Sequence, residues 1–204
     1  MKIIVGLGNI GKEYENTRHN TGFIFVDTLI KQLEKEASEN IIQYHTEKKF
    51  DAEIAEAKIF GEKYVFVKPR TYMNASGKAV ASIIQYYKAK DDDLIVAFDD
   101  VDLPIGTVRI RKEGSSGGHK GLQNIIDSIK YDKFIRIRIG IDNNFKQETK
   151  FETSEYVLEK FSKREMPVIK KTIDAIIEIL ISHLENNTQI PCHTYNIIGK
   201  EQKD

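Results

Sequence analysis

The spacing of apolar positions changes along the chain, and each change marks an element. Residues 2–6 are a short Ile/Val run, the pattern of a strand buried on both faces. From about Thr21, Phe23, Val26, Leu29, Ile30 and Leu33 recur at three- and four-residue spacing, which predicts a helix. Asn20 and Thr21 are both suited to its N-cap. The charged stretch 35–49 reads as a solvated helix end and loop. Two strands follow, 52–59 and 64–68, joined by the turn Phe60-Gly61-Glu62-Lys63. Residues 76–87 read as a helix, 94–99 and 107–111 as strands, and 112–118 as a Gly/Ser loop. A helix at 119–129 and a buried strand at 134–141 come next. Beyond Asp142 the chain is polar, with a short helix at 155–161. Pro167 then opens an amphipathic helix carrying Ile169, Ile173, Ile176, Ile177, Leu180 and Leu184 on one stripe. The tail from about 188 is polar.

Strands alternating with helices predict an α/β protein, a single-domain three-layer sandwich with a twisted mixed β-sheet and helices on both faces. The turn-linked pair at 52–68 argues against an all-parallel sheet. A length of 204 residues, without repeats or a linker, fits one domain over 1–204. Cys192 is the one cysteine, so no internal disulfide forms, and a reducing, cytoplasmic setting is expected. No stretch has the length and apolarity of a membrane span. The N-terminal apolar run meets Lys12, Glu13 and Glu15 too soon for a secretory signal. Basic and acidic residues balance at 31 each, which excludes nucleic-acid binding through bulk charge but leaves room for a local basic patch.

Three strand ends carry residues with chemistry to offer. His19 lies in the loop after the first strand, where α/β proteins place functional residues. Histidine is also the side chain that exchanges a proton near neutrality. Of the other histidines, His45 lies among charges, His183 on a helix and His193 in the tail, while His119 follows two glycines and caps a helix. Asp99 ends the strand 94–99 and can accept a proton from an imidazole. Asp100 reads as solvated, and Asp102, before Leu-Pro, as a turn residue. Asn9 rides on the glycine-rich turn Gly6-Leu7-Gly8-Asn9-Ile10-Gly11. That turn matches a dinucleotide fingerprint in spelling but not in context. A polar loop follows Gly11 where a helix is required, and no acidic strand end follows at the proper distance.

No nucleophile elbow, H-E-x-x-H motif or paired cysteines are present, so a nucleophilic serine and a metal centre lack support. A histidine with a carboxylate and amides, but no nucleophile, points to activated water. Arg109 and Arg111 share one strand face, as do Arg136 and Arg138. With the adjacent glycines they suit phosphate groups.

Taken together, Val-Gly-Leu-Gly-Asn, Thr-Arg-His-Asn-Thr-Gly, Lys-Pro-Arg-Thr-Tyr-Met-Asn-Ala-Ser-Gly, Asp-Asp-Val-Asp-Leu-Pro, Gly-Ser-Ser-Gly-Gly-His-Lys-Gly-Leu and Arg-Ile-Arg-Ile-Gly-Ile resemble the bacterial-type peptidyl-tRNA hydrolases, in that family's order. The resemblance implies a monomeric enzyme without metal or organic cofactor. Such an enzyme cleaves the ester between peptide and tRNA and so recycles tRNA from prematurely released peptidyl-tRNA. It implies His19 as the general base and Asp99 as its partner. Asn9, Tyr14, Met73, Asn74, His119 and Lys120 would contact the substrate, with Asn74 also helping the oxyanion. Arg111 and Arg138, with Arg109 in support, would contact tRNA phosphates. Lys120 departs from the family's frequent Asn. The alternative from another class is a non-catalytic RNA-binding relative of the same fold.

Overall fold

The computed structural model describes residues 1–36, 43–143 and 152–198. The middle of the charged stretch 35–49, the polar run after Asn143 and the last six residues lie outside the described residues. One mixed sheet organises the chain. Its strands are β1 (Lys2–Gly6), β2 (His45–Glu47), β3 (Ala52–Ile59), β4 (Glu62–Pro69), β5 (Leu94–Pro104), β6 (Thr107–Arg111), β7 (Ile135–Asp142) and β8 (Thr194–Asn196), in the order β2-β3-β4-β1-β5-β7-β6-β8. The four central strands β4-β1-β5-β7 are parallel, and antiparallel pairs finish both edges. Helices α1 (Thr21–Glu36) and α5 (Glu165–Glu185) cover one face, and α2 (Ser76–Tyr87) and α3 (Lys120–Ile129) cover the other. A short helix, α4 (Thr153–Tyr156), precedes α5. This is the expected three-layer α/β sandwich.

The central strands read as unbroken apolar runs because both of their faces are buried. Ile4, Phe66 and Ile95 pack with Phe25 and Leu29 of α1 and Ile173 and Ile177 of α5. Ile3, Val5, Val67 and Val96 pack with Val80 and Ile83 of α2 and Leu122 and Ile125 of α3. The Lys2–Gly6 run fits this burial, since only Lys2 of the five is not fully buried.

Several local expectations are corrected. The β3–β4 turn is the two residues Phe60-Gly61, not four, because Ile59 pairs directly with Glu62. Both turn residues have positive φ (51° and 77°), as a twist-matched hairpin requires. The strand expected to end at Asp99 runs on to Pro104 through a register shift after Asp100. The short helix spans Thr153–Tyr156 rather than 155–161, and after turns at 157–159 the chain bridges to Thr17 at Lys160. Helix α5 begins at Glu165 rather than Pro167. Two short edge strands, β2 and β8, lie inside segments whose polarity suggests loop and tail.

Gly6 and Gly22 are what let α1 start against the sheet. A Cβ on Gly22 would lie 2.3 Å from both Ala97 O and Leu7 N, and one on Gly6 would lie 2.2 Å from Gly22 O. The first glycine of the dinucleotide-like turn thus serves helix–strand contact rather than a ligand. Gly22→Ala is expected to cost about 3 kcal/mol, since backbone atoms cannot yield as a side chain does. Urea unfolding checks this, with a lower midpoint and an unchanged m-value.

Candidate active site

The ends of β1 and β4 and the middle of β5 come together, as expected where the strand order reverses around β1 in a parallel sheet. Asp99 sits on β5 with its side chain 3% exposed. His19 follows β1 in a 3-10 turn, Arg18–Asn20. Its Nδ1 lies 2.9 Å from Asp99 Oδ1 and 3.1 Å from Oδ2. A second imidazole reaches the same carboxylate, with His119 Nε2 3.1 Å from Asp99 Oδ1. The two rings stand 5.0 Å apart, centre to centre.

His119 is the N-cap of α3, and its Nδ1 accepts the Leu122 backbone N–H at 3.1 Å. That bond fixes the tautomer. With Nδ1 accepting, the ring proton is on Nε2, facing Asp99. The carboxylate accepts from His19 in the same way, so His19 carries its proton on Nδ1. Its Nε2 is left with the lone pair a base needs.

Burial opposes the charge on Asp99, yet the His19 and His119 rings hold its carboxyl well below the usual carboxylate range. Burial also works against protonated His19. The charge of Asp99 and its hydrogen bond overcome this, Lys120 weakly opposes them, and the net shift is upward from 6.5.

The same geometry bears on metal binding. His19, Asp99 and His119 offer ligand atoms within 4.8 Å of one another. The imidazole nitrogens facing Asp99 are N–H donors in the tautomers just derived, however, and a metal needs their lone pairs. The donor set fits a hydrogen-bonded cluster rather than a cation site.

Asn9 stands on the turn after β1. Its Oδ1 accepts the Met73 amide at 2.9 Å, which leaves the amide NH₂ to donate elsewhere. Asn20 clamps the Asn9 backbone from both sides, through Asn9 N to Asn20 Oδ1 (2.8 Å) and Asn20 Nδ2 to Asn9 O (2.9 Å). The Asn20 side chain, suited by sequence to a helix cap, builds this loop instead. Met73 and Asn74 lie in a 3-10 turn after β4, Met73 buried and Asn74 exposed. A Cβ on Gly121 would lie 2.3 Å from Met73 Sδ, so the glycine lets the first turn of α3 rest on Met73. Lys120, exposed between His119 and Gly121, therefore stands at the same rim. Tyr14 meets Tyr72 edge to face at 6.4 Å.

The family model described as Peptidyl-tRNA hydrolase matches residues 3–204. A peptidyl-tRNA hydrolase of Pediococcus pentosaceus is 47% identical over 166 residues, 81% of this chain and 83% of that one. One of Finegoldia magna is 40% identical over 196 residues, 96% and 97% of the two chains. A crystal structure of peptidyl-tRNA hydrolase from Acinetobacter baumannii superposes with a TM-score of 0.81 at 32% identity, covering 92% of this chain and 89% of that one.

The chain belongs to the peptidyl-tRNA hydrolase family.

In this peptidyl-tRNA hydrolase family member the expected arginines lie on the neighbouring β6–β7 ladder. Arg109 pairs in register with Arg138, and Arg111 with Arg136. Arg138 Nε lies 2.7 Å from Asp100 Oδ2, so Asp100 is a buried ion-pair partner and not a solvated neighbour. Arg111 donates to Ile110 O (2.7 Å) and Thr194 Oγ1 (3.3 Å). Arg136 is buried with its guanidinium over the Phe134 ring. An open cleft of about 540 Å³ reaches the site at Asn9 and Asn20 without including His19 or Asp99.

Sequence reading misses Tyr72 and the second role of His119. Tyr72 is half exposed and holds φ at 55° with ψ at 167°, a conformation costly for a bulky residue. No sequence signal marks that strain. His119 reads as a cap, and the cap geometry is what aims its other nitrogen at Asp99.

His19 is expected to titrate above 6.5 by NMR of the ring protons. Asp99→Asn removes the partner that raises it and leaves desolvation and Lys120 acting, so the midpoint falls. An unchanged midpoint in Asp99→Asn would contradict this electrostatic account.

Proposed function

We propose that the chain hydrolyses the ester joining the peptide carboxyl to the terminal ribose of tRNA, with His19 as general base. The observation that carries this is the His19 Nδ1–Asp99 bond of 2.9 Å in a chain of this family. His19 Nε2 takes a proton from water, whose oxygen attacks the ester carbonyl carbon. Asp99 stabilises the imidazolium that forms. Asn74, an exposed amide on a turn anchored by Asn9, donates to the developing oxyanion. Collapse breaks the bond to the ribose oxygen, which takes the proton back from His19. Free peptide and tRNA result, and no metal or organic cofactor enters a step.

The Asn9 amide, Met73 and the Tyr14 ring receive the peptide side, and His119 and Lys120 line the opposite rim. Arg111, Arg138 and Arg109 contact tRNA phosphates near the acceptor end. The chain works as one domain and as a monomer, in the cytoplasm where its substrate arises. No helix among the described residues is long and apolar enough to cross a membrane. The non-catalytic RNA-binding alternative is not favoured, because the base, its carboxylate partner and the amides are all present together.

Release of tRNA from an N-blocked aminoacyl-tRNA tests the reading. His19→Ala is expected to lower turnover by about 10²- to 10⁴-fold while the fold survives. Near-normal turnover in the folded variant would sink the assignment.

A second experiment tests the tRNA path. Arg138 holds buried Asp100, so Arg109→Ala with Arg111→Ala is the cleaner pair. It is expected to raise KM for full substrate more than it lowers kcat. The salt dependence should flatten, its slope falling by about one for each phosphate that is no longer neutralised. A peptide ester of a minimal nucleoside should be cleaved as before. Equal damage to that short mimic would place these arginines in the chemistry or the fold instead.

A further inference from the structure

We propose that Arg18 is a positioning residue for the hydrolysis, fixing His19 through the segment 156–165. The inference rests on His19 being the base. Arg18 precedes His19 in the chain, but its guanidinium is buried elsewhere, with the side chain 5% exposed. Nη2 lies 3.0 Å from Glu165 Oε1 and 3.3 Å from Oε2. Nη1 lies 3.2 Å from Glu159 Oε2 and 3.4 Å from Tyr156 O. The guanidinium carbon also stands 4.1 Å from the centre of the Tyr156 ring and 5.6 Å from that of Phe161. A planar fork that stacks and pairs at once is a task arginine performs and lysine does not.

What Arg18 grips is itself anchored. Glu165 accepts from Asn143 Nδ2 and from Ser162 N, both at 2.6 Å. Ser162 Oγ accepts the Glu165 amide in return, at 3.2 Å. This reciprocal pair has the form of a capping box at the start of the 21-residue helix α5. The Tyr156 hydroxyl donates to Ile141 O at 2.7 Å, at the end of β7. Arg18 is thus plugged into a long helix and a central strand.

The grip reaches His19 through the backbone. Arg18 N donates to Glu159 O (3.0 Å), His19 N to Val157 O (2.8 Å) and Phe161 N to Asn16 O (3.0 Å). Asp99 fixes the ring of His19, and Val157 fixes its main chain. Residues 152–155 and 158–160 are exposed, so packing holds the segment only through Tyr156, Val157 and Phe161, two of whose rings Arg18 covers. Without Arg18 the carboxylate of Glu165 loses its cation, the Tyr156 and Phe161 rings lose their cover, and Val157 O is free to shift. A displacement of about 1 Å at a catalytic group can cost about 10²-fold in rate.

The test compares Arg18→Met, Arg18→Lys and Glu165→Gln with the unaltered chain. Turnover, KM and the His19 ring titration are read at a temperature where each variant is folded. Arg18→Met is expected to lower kcat by about tenfold or more, to change KM by less than about threefold, and to move the His19 midpoint down as the ring drifts from Asp99. Arg18→Lys should behave likewise and carries the test if Arg18→Met does not fold. Glu165→Gln should give a smaller effect of the same sign. A folded Arg18 variant with kcat within about twofold of the unaltered chain and an unmoved His19 midpoint overturns the proposal, because a purely structural role lowers only thermal stability. His19→Ala run alongside separates the two readings. If it stays active, the base assignment fails. If it is inactive while the Arg18 variants turn over normally, only the positioning role fails.

Discussion

A carboxylate removed from water has to be surrounded by donors, and the site is built around that requirement at Asp99. The residue sits within the long strand β5, with little solvent. A lone charge there would protonate. Two imidazole N–H groups prevent this. One of them depends on a backbone amide several residues away, because Leu122 N–H at the start of α3 obliges His119 to present Nε2–H to Asp99. Asp99 held ionised then obliges His19 to keep its proton on Nδ1 and its lone pair on Nε2. The tautomer of the proposed base therefore follows from the cap of a helix on the opposite face of the sheet from α1.

The topology brings these partners together without long loops. In a parallel sheet every carboxyl end lies on one rim, so the turn after β1, the turn after β4 and the stretch of β5 that runs on past its pairing with β1 meet there. Short polar contacts lock the rim. Asn20 holds Asn9, and Asn9 holds Met73. Met73 in turn supports the first turn of α3 across Gly121. The Asn9–Met73 bond joins the ends of the neighbouring strands β1 and β4, and Met73 carries the tie on to α3, so the strand order sets the geometry of the site.

Much of this is legible in the amino-acid sequence, for identifiable reasons. The central strands announce themselves because burial on both faces leaves unbroken Ile/Val runs. Helices α1 and α5 do so because one stripe must face the sheet. His19, Asp99, Asn9 and Met73 can be gathered into one site because each lies on or just after such an apolar run. The edge strands β2 and β8 cannot be read, since an edge of three residues can be polar on both faces and take its order from a neighbour. Asp100 is misread for a related reason. A lone acidic residue looks solvated until the arginine it pairs with is known, and Arg138 is distant in sequence but close across β5 and β7. The tie between Arg18 and Glu165 spans still more of the chain, and no periodicity encodes it.

A chain without net charge must concentrate its positive charge to meet a polyanion, and the β6–β7 ladder does so at a cost. Arg109 faces Arg138 and Arg111 faces Arg136, and like charges opposed across strands repel. Asp100 offsets part of that repulsion by pairing with Arg138. Asp99 and Asp100 are adjacent on one strand, so the two-residue period turns their side chains to opposite sides. One carboxylate goes to the imidazoles and the other to Arg138. A single peptide unit thus links the proposed base to the proposed phosphate contacts and fixes the distance between them. That rigidity suits a substrate whose scissile ester lies at a set distance from the phosphates of its acceptor end. It also means that a change at Asp100 would be felt on both sides of the strand, as lost order among the arginines and as a shift of the carboxylate that holds His19.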